Sequence, residues 1–364
     1  MTIVAHTYPF VIGVDTHAKN HAFAILAADT GALIDEGQFP NTTAGISRAI
    51  TWAGRRTGGD LAVLWVVEGA ASYGAPLAGR LPAAGYQVVE AARMDARTHR
   101  GVGKSDPLDA RRIAAAVLPL ELTKLRHPRA DQGIRAALRV LTTAREQMTT
   151  TRTAAVNALT ALLRMVDLGV DARKSLTGTQ IHQIAGWRTR PADQISVATA
   201  RAEAIRLAKQ VTSLDADLAD NKSRITHLVQ ASPAAPLLDK TGIGPVTAAI
   251  AFTAWSHPGR IRSEAAFAAL AGVNPIPASS GNTVRHRLNH GGDRRLNKAL
   301  HMAVITRMVH DPDTRAYTDK RRAQGRTNRE IRRCLKRYLA RHIYRTLNTT
   351  ATVTHLTPHQ TCET

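Results

Sequence analysis

Phe10-Val11-Ile12-Gly13-Val14-Asp15-Thr16-His17-Ala18-Lys19 decides the fold: a short apolar run of the buried-strand kind that stops on an acid. Downstream, His21–Ala27 and Ala32–Phe39 read as two further strands, separated by the turn signal Asp29-Thr30-Gly31. A helix is predicted over Thr43–Arg55, a buried strand over Leu61–Val67, a helix over Ala75–Ala83 and a short strand over Gln87–Glu90. Pro107–Val117 then reads as a helix with proline in its first turn. Three adjacent strands followed by helix–strand repeats predict a mixed α/β domain over residues 1–125.

Four acids in this segment stand where an α/β sheet presents side chains. Asp15 ends the first strand and Glu68 ends Leu61–Val67, so both carboxylates are expected at the sheet's carboxyl edge. Asp106 and Asp109, three apart at a helix start, share one face. Carboxylates gathered at one edge repel unless a cation neutralises them. Mg²⁺ prefers oxygen and keeps water and substrate phosphate as further ligands, and two such ions can clamp the attacking and leaving oxygens of a phosphodiester. Taken singly, each acid also has an ordinary reading: a turn closure for Asp15, a solvent-facing strand end for Glu68, a helix cap for Asp106 and a first-turn residue for Asp109.

The middle of the chain, residues 126–232, differs in kind. Ile134, Leu138, Leu141, Arg145, Met148, Arg152, Ala155, Leu159, Leu162 and Val166 step in alternating fours and threes. A second series runs Val197, Ala200, Ala204, Leu207, Val211, Leu214, Leu218, Asn221, Ile225 and Leu228. This is the coiled-coil period, with Asn221 as a polar register residue. It predicts an all-α connector that either self-associates or folds back as an intramolecular antiparallel hairpin. Residues 233–348 read as a mainly helical C-terminal domain. In it Leu238–Thr247 is either a helix-hairpin-helix turn offering amides to phosphate or a plain tight turn, and Asn274–Gly292 is loop-like. Helices are predicted over Arg294–Val309 and Asn328–Leu347, with a disordered tail over residues 349–364.

Charge is distributed as unevenly as structure. The chain carries 49 Lys/Arg against 28 Asp/Glu, a net +21 in 364 residues. Residues 1–125 hold 12 basic and 11 acidic residues, whereas residues 285–345 hold 18 and 5, so +13 of the excess lies in that stretch. So local an excess points to a polyanion, since neutralising phosphates releases counterions. Lys104, Arg285, Arg287, Arg294, Arg295, Lys298, Arg332, Arg333, Lys336 and Arg337 are the expected nucleic-acid contacts, positioning the backbone without reading bases. His286, His290 and His301 lie nearby without metal-ligand spacing. Only Cys334 and Cys362 are present, without metal-ligand spacing, which argues against a disulfide framework or a zinc site. With no signal peptide and no apolar run near the ~18–20 residues that span a bilayer, the expected location is bacterial cytoplasm, at the nucleoid when acting.

Gly13-Val14-Asp15-Thr16-His17-Ala18-Lys19, Glu68-Gly69 and Lys104-Ser105-Asp106-Pro107-Leu108-Asp109-Ala110 resemble the DEDD transposases of the insertion sequence 110 family. Leu238–Val246 and Leu270–Leu300 resemble that family's second domain. The resemblance implies a RuvC-like, that is ribonuclease-H-like, catalytic domain with Asp15, Glu68, Asp106 and Asp109 as Mg²⁺ ligands, two ions per site. It further implies a nucleophilic serine before a glycine. Ser280, in Pro277-Ala278-Ser279-Ser280-Gly281-Asn282, occupies that position, with Ser279 as its neighbour and rival. A phosphoserine link to DNA would conserve bond energy for rejoining. The same resemblance implies a structured bridge RNA pairing with donor and target DNA, and dimers that pair into tetramers, one subunit's acids meeting another's serine. Delegating sequence choice to base pairing suits a chain with generic basic surfaces and few aromatic readers. Two other readings are a RuvC-like Mg²⁺-dependent junction endonuclease with water as nucleophile, and a non-catalytic architectural protein.

Overall fold

A computed structural model of the chain describes residues 2–91, 105–129, 132–283 and 286–356. The chain divides into two units, one of residues up to 131 with Ser256–Arg260, the other of residues 132–255 and 261 onward.

The first unit is a mixed five-stranded sheet with helices on both faces. Its elements are β1 (Phe10–Thr16), β2 (Asn20–Ala27), β3 (Leu33–Pro40), α1 (Thr43–Arg56), β4 (Val63–Val67), α2 (Ala75–Arg80), β5 (Gln87–Glu90) and α3 (Asp106–Ala115). The sheet order is β3-β2-β1-β4-β5, with β1–β2 and β2–β3 antiparallel and β1–β4 and β4–β5 parallel. All the strands and helices read from the sequence of this unit are present, within a few residues at their ends. Ile12, Val14, Phe23, Ile25 and Trp65 pack with Ile46 and Ala49 of α1 and Leu77 of α2. On the other face Val11, Leu64 and Val66 pack with Ile113, Ala114 and Val117.

The second unit is helical: α4 (Gly133–Met165), α5 (Gly178–Ala185), α6 (Ile195–Gln230), α7 (Pro245–Trp255), α8 (Glu264–Leu270), the two-residue strands β6 (Ile276–Pro277) and β7 (His286–Arg287), α9 (Arg294–His310), α10 (Pro312–Ala323) and α11 (Asn328–Leu356). α4 and α6 run antiparallel. Asn221 Nδ2 donates to the Leu141 carbonyl at 3.0 Å, Arg145 Nη1 to the Leu218 carbonyl at 2.9 Å, and Arg152 pairs with Asp215. The seam is thus filled within the chain, the hairpin alternative of the two. Its two ends are apolar and its middle is polar. Leu138, Leu141, Ile225 and Val229 join the core formed by α7, α8, α9 and α11. Ala155, Leu159, Leu163, Ala204, Leu207 and Val211 make a second core with Ile181 and Ile184 of α5. Residues 126–232 and 233–348, read separately from the sequence, therefore share one core at the hairpin's base.

Two expectations are corrected. Asn274–Gly292 contains a β-hairpin, β6 pairing antiparallel with β7, where a loop was expected. α11 runs on to Leu356 with Leu347 and Ala351 buried, so 349–356 is helix and not tail. Residues 357–364 lie outside the described residues. No described helix is long and apolar enough to cross a membrane.

Candidate active site

Alternation along β1 puts Val11, Gly13 and Asp15 on one face and Ile12 and Val14 on the other. The Gly13 face is covered by α3 at very short range. A Cβ at position 13 would lie 2.0 Å from the Ala110 carbonyl oxygen and 2.6 Å from the Ala114 nitrogen. Only a residue without a side chain lets a helix backbone rest on the strand there. Beside it Ala22 and Ala24 of β2 meet Ala110 in a cluster of small buried side chains. The consequence for the site is direct. Asp15, two residues beyond Gly13, comes under the first turn of α3, where Asp106 and Asp109 stand.

Glu68 arrives from the parallel neighbour. Val14 pairs with Val67, the Glu68 amide donates to the Val14 carbonyl at 3.0 Å, and Thr16 Oγ1 donates to the Glu68 carbonyl at 2.9 Å. Four acids from three separated segments therefore meet at one end of the sheet. Partial burial of the Glu68 carboxyl, the negative charge of Asp15, a hydrogen bond shared with the Asp15 carboxyl and the charge of Asp109 together raise its pKa. Asp109 is paired with an arginine, Arg112 Nη1 donating to its Oδ1 at 2.9 Å. Asp106 opens α3 after Ser105, so it is not the helix cap that one reading gave it.

His17, which sequence reasoning left without a role, belongs to the cluster. Its Nε2 is 3.0 Å from Asp15 Oδ2 and 3.5 Å from Asp106 Oδ1, and one ligand atom from each of the three residues lies within 4.8 Å of the others. The tight β1–β2 connection turns His17 back onto Asp15, its amide donating to Nδ1 of the buried His21 at 3.2 Å. The only available signal was a histidine two residues past a strand-ending acid. The donor set fits a hard divalent cation: carboxylate oxygens in excess, an imidazole nitrogen at their edge, and a Glu68 whose pKa is raised first by burial and then by the neighbouring charges of Asp15 and Asp109.

Ser280 belongs to the second unit. Its amide and carbonyl exchange hydrogen bonds with Thr283 at 3.2 and 3.1 Å, so Gly281-Asn282 is a two-residue turn with Gly281 at φ +54°. Ser280 and Ser279 are both exposed beside this tip. The base of the hairpin is clamped. Asn289 Nδ2 donates to Asn274 Oδ1 at 2.7 Å and the Ala269 carbonyl at 3.2 Å, and Asn297 Nδ2 to the Ala271 carbonyl at 2.7 Å. At Gly292, with φ +96°, a Cβ would lie 2.4 Å from the Leu270 carbonyl oxygen.

The expected basic contacts fall into two groups. Arg287, Arg333, Lys336 and Arg337 line a groove between the hairpin and α11, with His286. Arg294, Arg295 and Lys298 line a second groove with α4 and α7. Arg295 is engaged with Glu146 and Thr143, Lys336 donates to Asn297 Oδ1 at 3.1 Å, and Arg332 Nε donates to the Asn328 carbonyl at 3.1 Å. Burial, then the charges of Lys336 and Arg332, lower the pKa of His301. Exposed His290 makes no metal group among the described residues. Lys104 and Arg285 lie outside the described residues. The turn over Thr241–Gly244 packs on α9, Arg307 Nη1 donating to the Thr241 carbonyl at 3.2 Å.

Two family models match the chain, the first running past the unit boundary to the end of α4. A family model described as "Transposase" matches residues 12–166, and one described as "Transposase IS116/IS110/IS902 family" matches residues 234–319. The chain is 26% identical over 371 residues to the insertion element IS900 uncharacterized 42 kDa protein of Mycobacterium paratuberculosis, covering 87% of this chain and 90% of that one. It is 30% identical over 124 residues to the insertion element IS110 uncharacterized 43.6 kDa protein of Streptomyces coelicolor, covering 34% of this chain and 31% of that one. An acid cluster at a sheet end, a strongly basic helical unit and these two matches define a transposase, an enzyme that binds, cuts and rejoins DNA. The chain belongs to the IS110 family of transposases.

Proposed function

We propose that the first unit is a RuvC-like catalytic domain in which Asp15, Glu68, Asp106 and Asp109 hold Mg²⁺, two ions per site, and that Ser280 is the nucleophile. The convergence of four acids from β1, β4 and α3 on one sheet end carries the reading. When bound, the ions would stabilise charge on the scissile phosphate and on the leaving oxygen. The chain's own groups do the rest. The acids set where the phosphate is held, and His17 keeps Asp15 and Asp106 in register. Ser280 Oγ gives up its proton and bonds to phosphorus. The bond from phosphorus to the released strand breaks, and that oxygen takes up a proton to leave as a hydroxyl. Running the step backwards rejoins DNA without an external energy source.

The acids and the serine lie in different units, and they act together in dimers that pair into tetramers through surfaces other than the α4–α6 seam, which is filled within the chain. A structured bridge RNA supplies target choice by base pairing, which the scarcity of aromatics and the spread of basic residues over two grooves favour. The direct test is a covalent adduct. Incubation with DNA bearing the element's ends and Mg²⁺, then digestion and mass spectrometry, is expected to find a phosphodeoxynucleotide on Ser280 and none in Ser280→Ala. An adduct on Ser279 moves the role by one residue. Cleavage without any adduct, retained in Ser280→Ala, identifies a water-using junction nuclease, and DNA binding without nicking an architectural protein.

The basic grooves give a second expectation. Arg294→Ala with Lys298→Ala, both exposed, is expected to reduce the slope of log affinity against log salt by about 0.9 for each duplex phosphate that the protein no longer neutralises. An unchanged slope measured by fluorescence anisotropy removes these residues from the DNA surface.

A further inference from the structure

The groove between the serine hairpin and α11 has a composition that backbone binding alone does not require. It encloses about 240 Å³ and is lined by Val273, Leu288, Tyr338, Arg287, Arg333 and Arg337 among others, none of them acidic. Leu288 is 41% exposed and Tyr338 52% exposed, two large apolar surfaces facing the same opening. The Tyr338 ring is braced edge-on by Tyr317, centroids 5.9 Å apart at 85°. Arg337 Nη1 is buried with no hydrogen-bond partner among the described residues. Leaving such a charged donor unmet is costly, and an anion at that point would satisfy it. Burial and the neighbouring charge of Arg333 lower the pKa of Lys336, as expected where cations crowd without a counter-charge. The space is below the ~300–1,000 Å³ of sites for drug-sized ligands, too small for a duplex and enough for one base.

We propose that this groove holds one nucleotide of the DNA strand beside the scissile phosphate, its base unstacked against Tyr338 and Leu288 and its phosphate between Arg333 and Arg337. The proposal rests on the reading of the Ser280 hairpin as the DNA-cleaving element, because it places the nucleotide next to that hairpin. An aromatic face with flanking guanidinium groups is the usual way to grip single strands without reading sequence. Holding a base out of the stack would fix the neighbouring phosphate against sliding, which a nucleophile on an exposed turn otherwise lacks.

The test uses the full-length protein and fluorescence anisotropy with labelled oligo-dT of about 12 nucleotides, the corresponding dT·dA duplex, and oligo-U of the same length. Tyr338→Ala is expected to weaken oligo-dT binding roughly 5- to 150-fold, the range for removing one base–aromatic stack, while duplex binding changes less than about twofold. Tyr338→Phe is expected to bind like the parent. Leu288→Ala is the second variant, expected to weaken oligo-dT alone, should Tyr338→Ala unfold on thermal scanning. Equal losses on single strand and duplex, no loss on single strand, a Phe variant as weak as Ala, or an effect confined to oligo-U would each overturn the proposal. Ser280→Ala is expected to leave oligo-dT binding unchanged. Absence of the Ser280 adduct with Tyr338-dependent binding intact would thus count against the serine alone, and a mapped Ser280 adduct without Tyr338 dependence against the groove alone.

Discussion

Asp106→Asn should abolish strand cleavage while leaving nucleic-acid affinity and folding nearly untouched. The substitution keeps the shape of the side chain and removes its charge. The Asp106 side chain is 56% exposed, so its removal from the charge balance costs the fold little. In the proposed site, however, it is one of the four described carboxylates that would hold the ions. Removing one such electrostatic group from a preorganised site typically lowers the rate by roughly 10²–10³-fold, and removal of a direct ion ligand more. Nicking of supercoiled DNA carrying the element's ends, together with Mn²⁺ affinity from calorimetry, measures both halves. Asp15→Asn should match it in activity but differ in stability, because Asp15 is only 7% exposed and touches both His17 and Glu68. Residual nicking within tenfold of the parent in either variant would remove that acid from the site.

The largest effect on the fold is expected at Gly13. An added methyl in Gly13→Ala would have to displace the α3 backbone, since its nearest neighbours are main-chain atoms at 2.0 and 2.6 Å. Overpacking against a movable side chain costs about 1–3 kcal/mol, and a main-chain collision belongs at or beyond the top of that range. Gly79→Ala is the control, because a Cβ there meets nothing within 4 Å and alanine is the better helix former. Urea unfolding should place Gly13→Ala roughly 3 kcal/mol or more below the parent, with Gly79→Ala unchanged or slightly above. Activity should fall with it, because any shift of α3 carries Asp106 and Asp109 away from Asp15. A Gly13→Ala protein of parental stability would mean that α3 does not rest on β1 as described.

Much of the first unit is legible in the sequence because its signals are strong and local. The run ending at Asp15, the turn at Asp29-Thr30-Gly31 and the helix opened by Pro107 each follow from burial and backbone preference, and together they order the acids along the sheet. What the sequence does not reveal is the closeness of α3 to β1. A glycine inside a strand says that something approaches, not what does. His17 escaped notice because its place depends on how a three-residue turn folds back, and no periodicity reports that. The serine hairpin reads as a loop in the sequence because strands of two residues, one of them containing Pro277, are too short to alternate visibly. The seam of α4 and α6 was plain at Leu138, Leu159, Ala204 and Ile225, yet its spacing is the same for an intramolecular hairpin as for a pair of chains.

The polar middle of that hairpin has a mechanical consequence. With 33 residues in α4 the arm is about 50 Å long at 1.5 Å per residue. Apolar side chains alone would let the helices slip by a turn at modest cost, but Asn221 on the Leu141 carbonyl and Arg152 on Asp215 have partners at one alignment only. The arm is in effect a calibrated strut. Its length is set by the residues of its helices and its register by two polar pins, so its tip, with a small core of its own, can diverge in sequence without shifting one helix along the other.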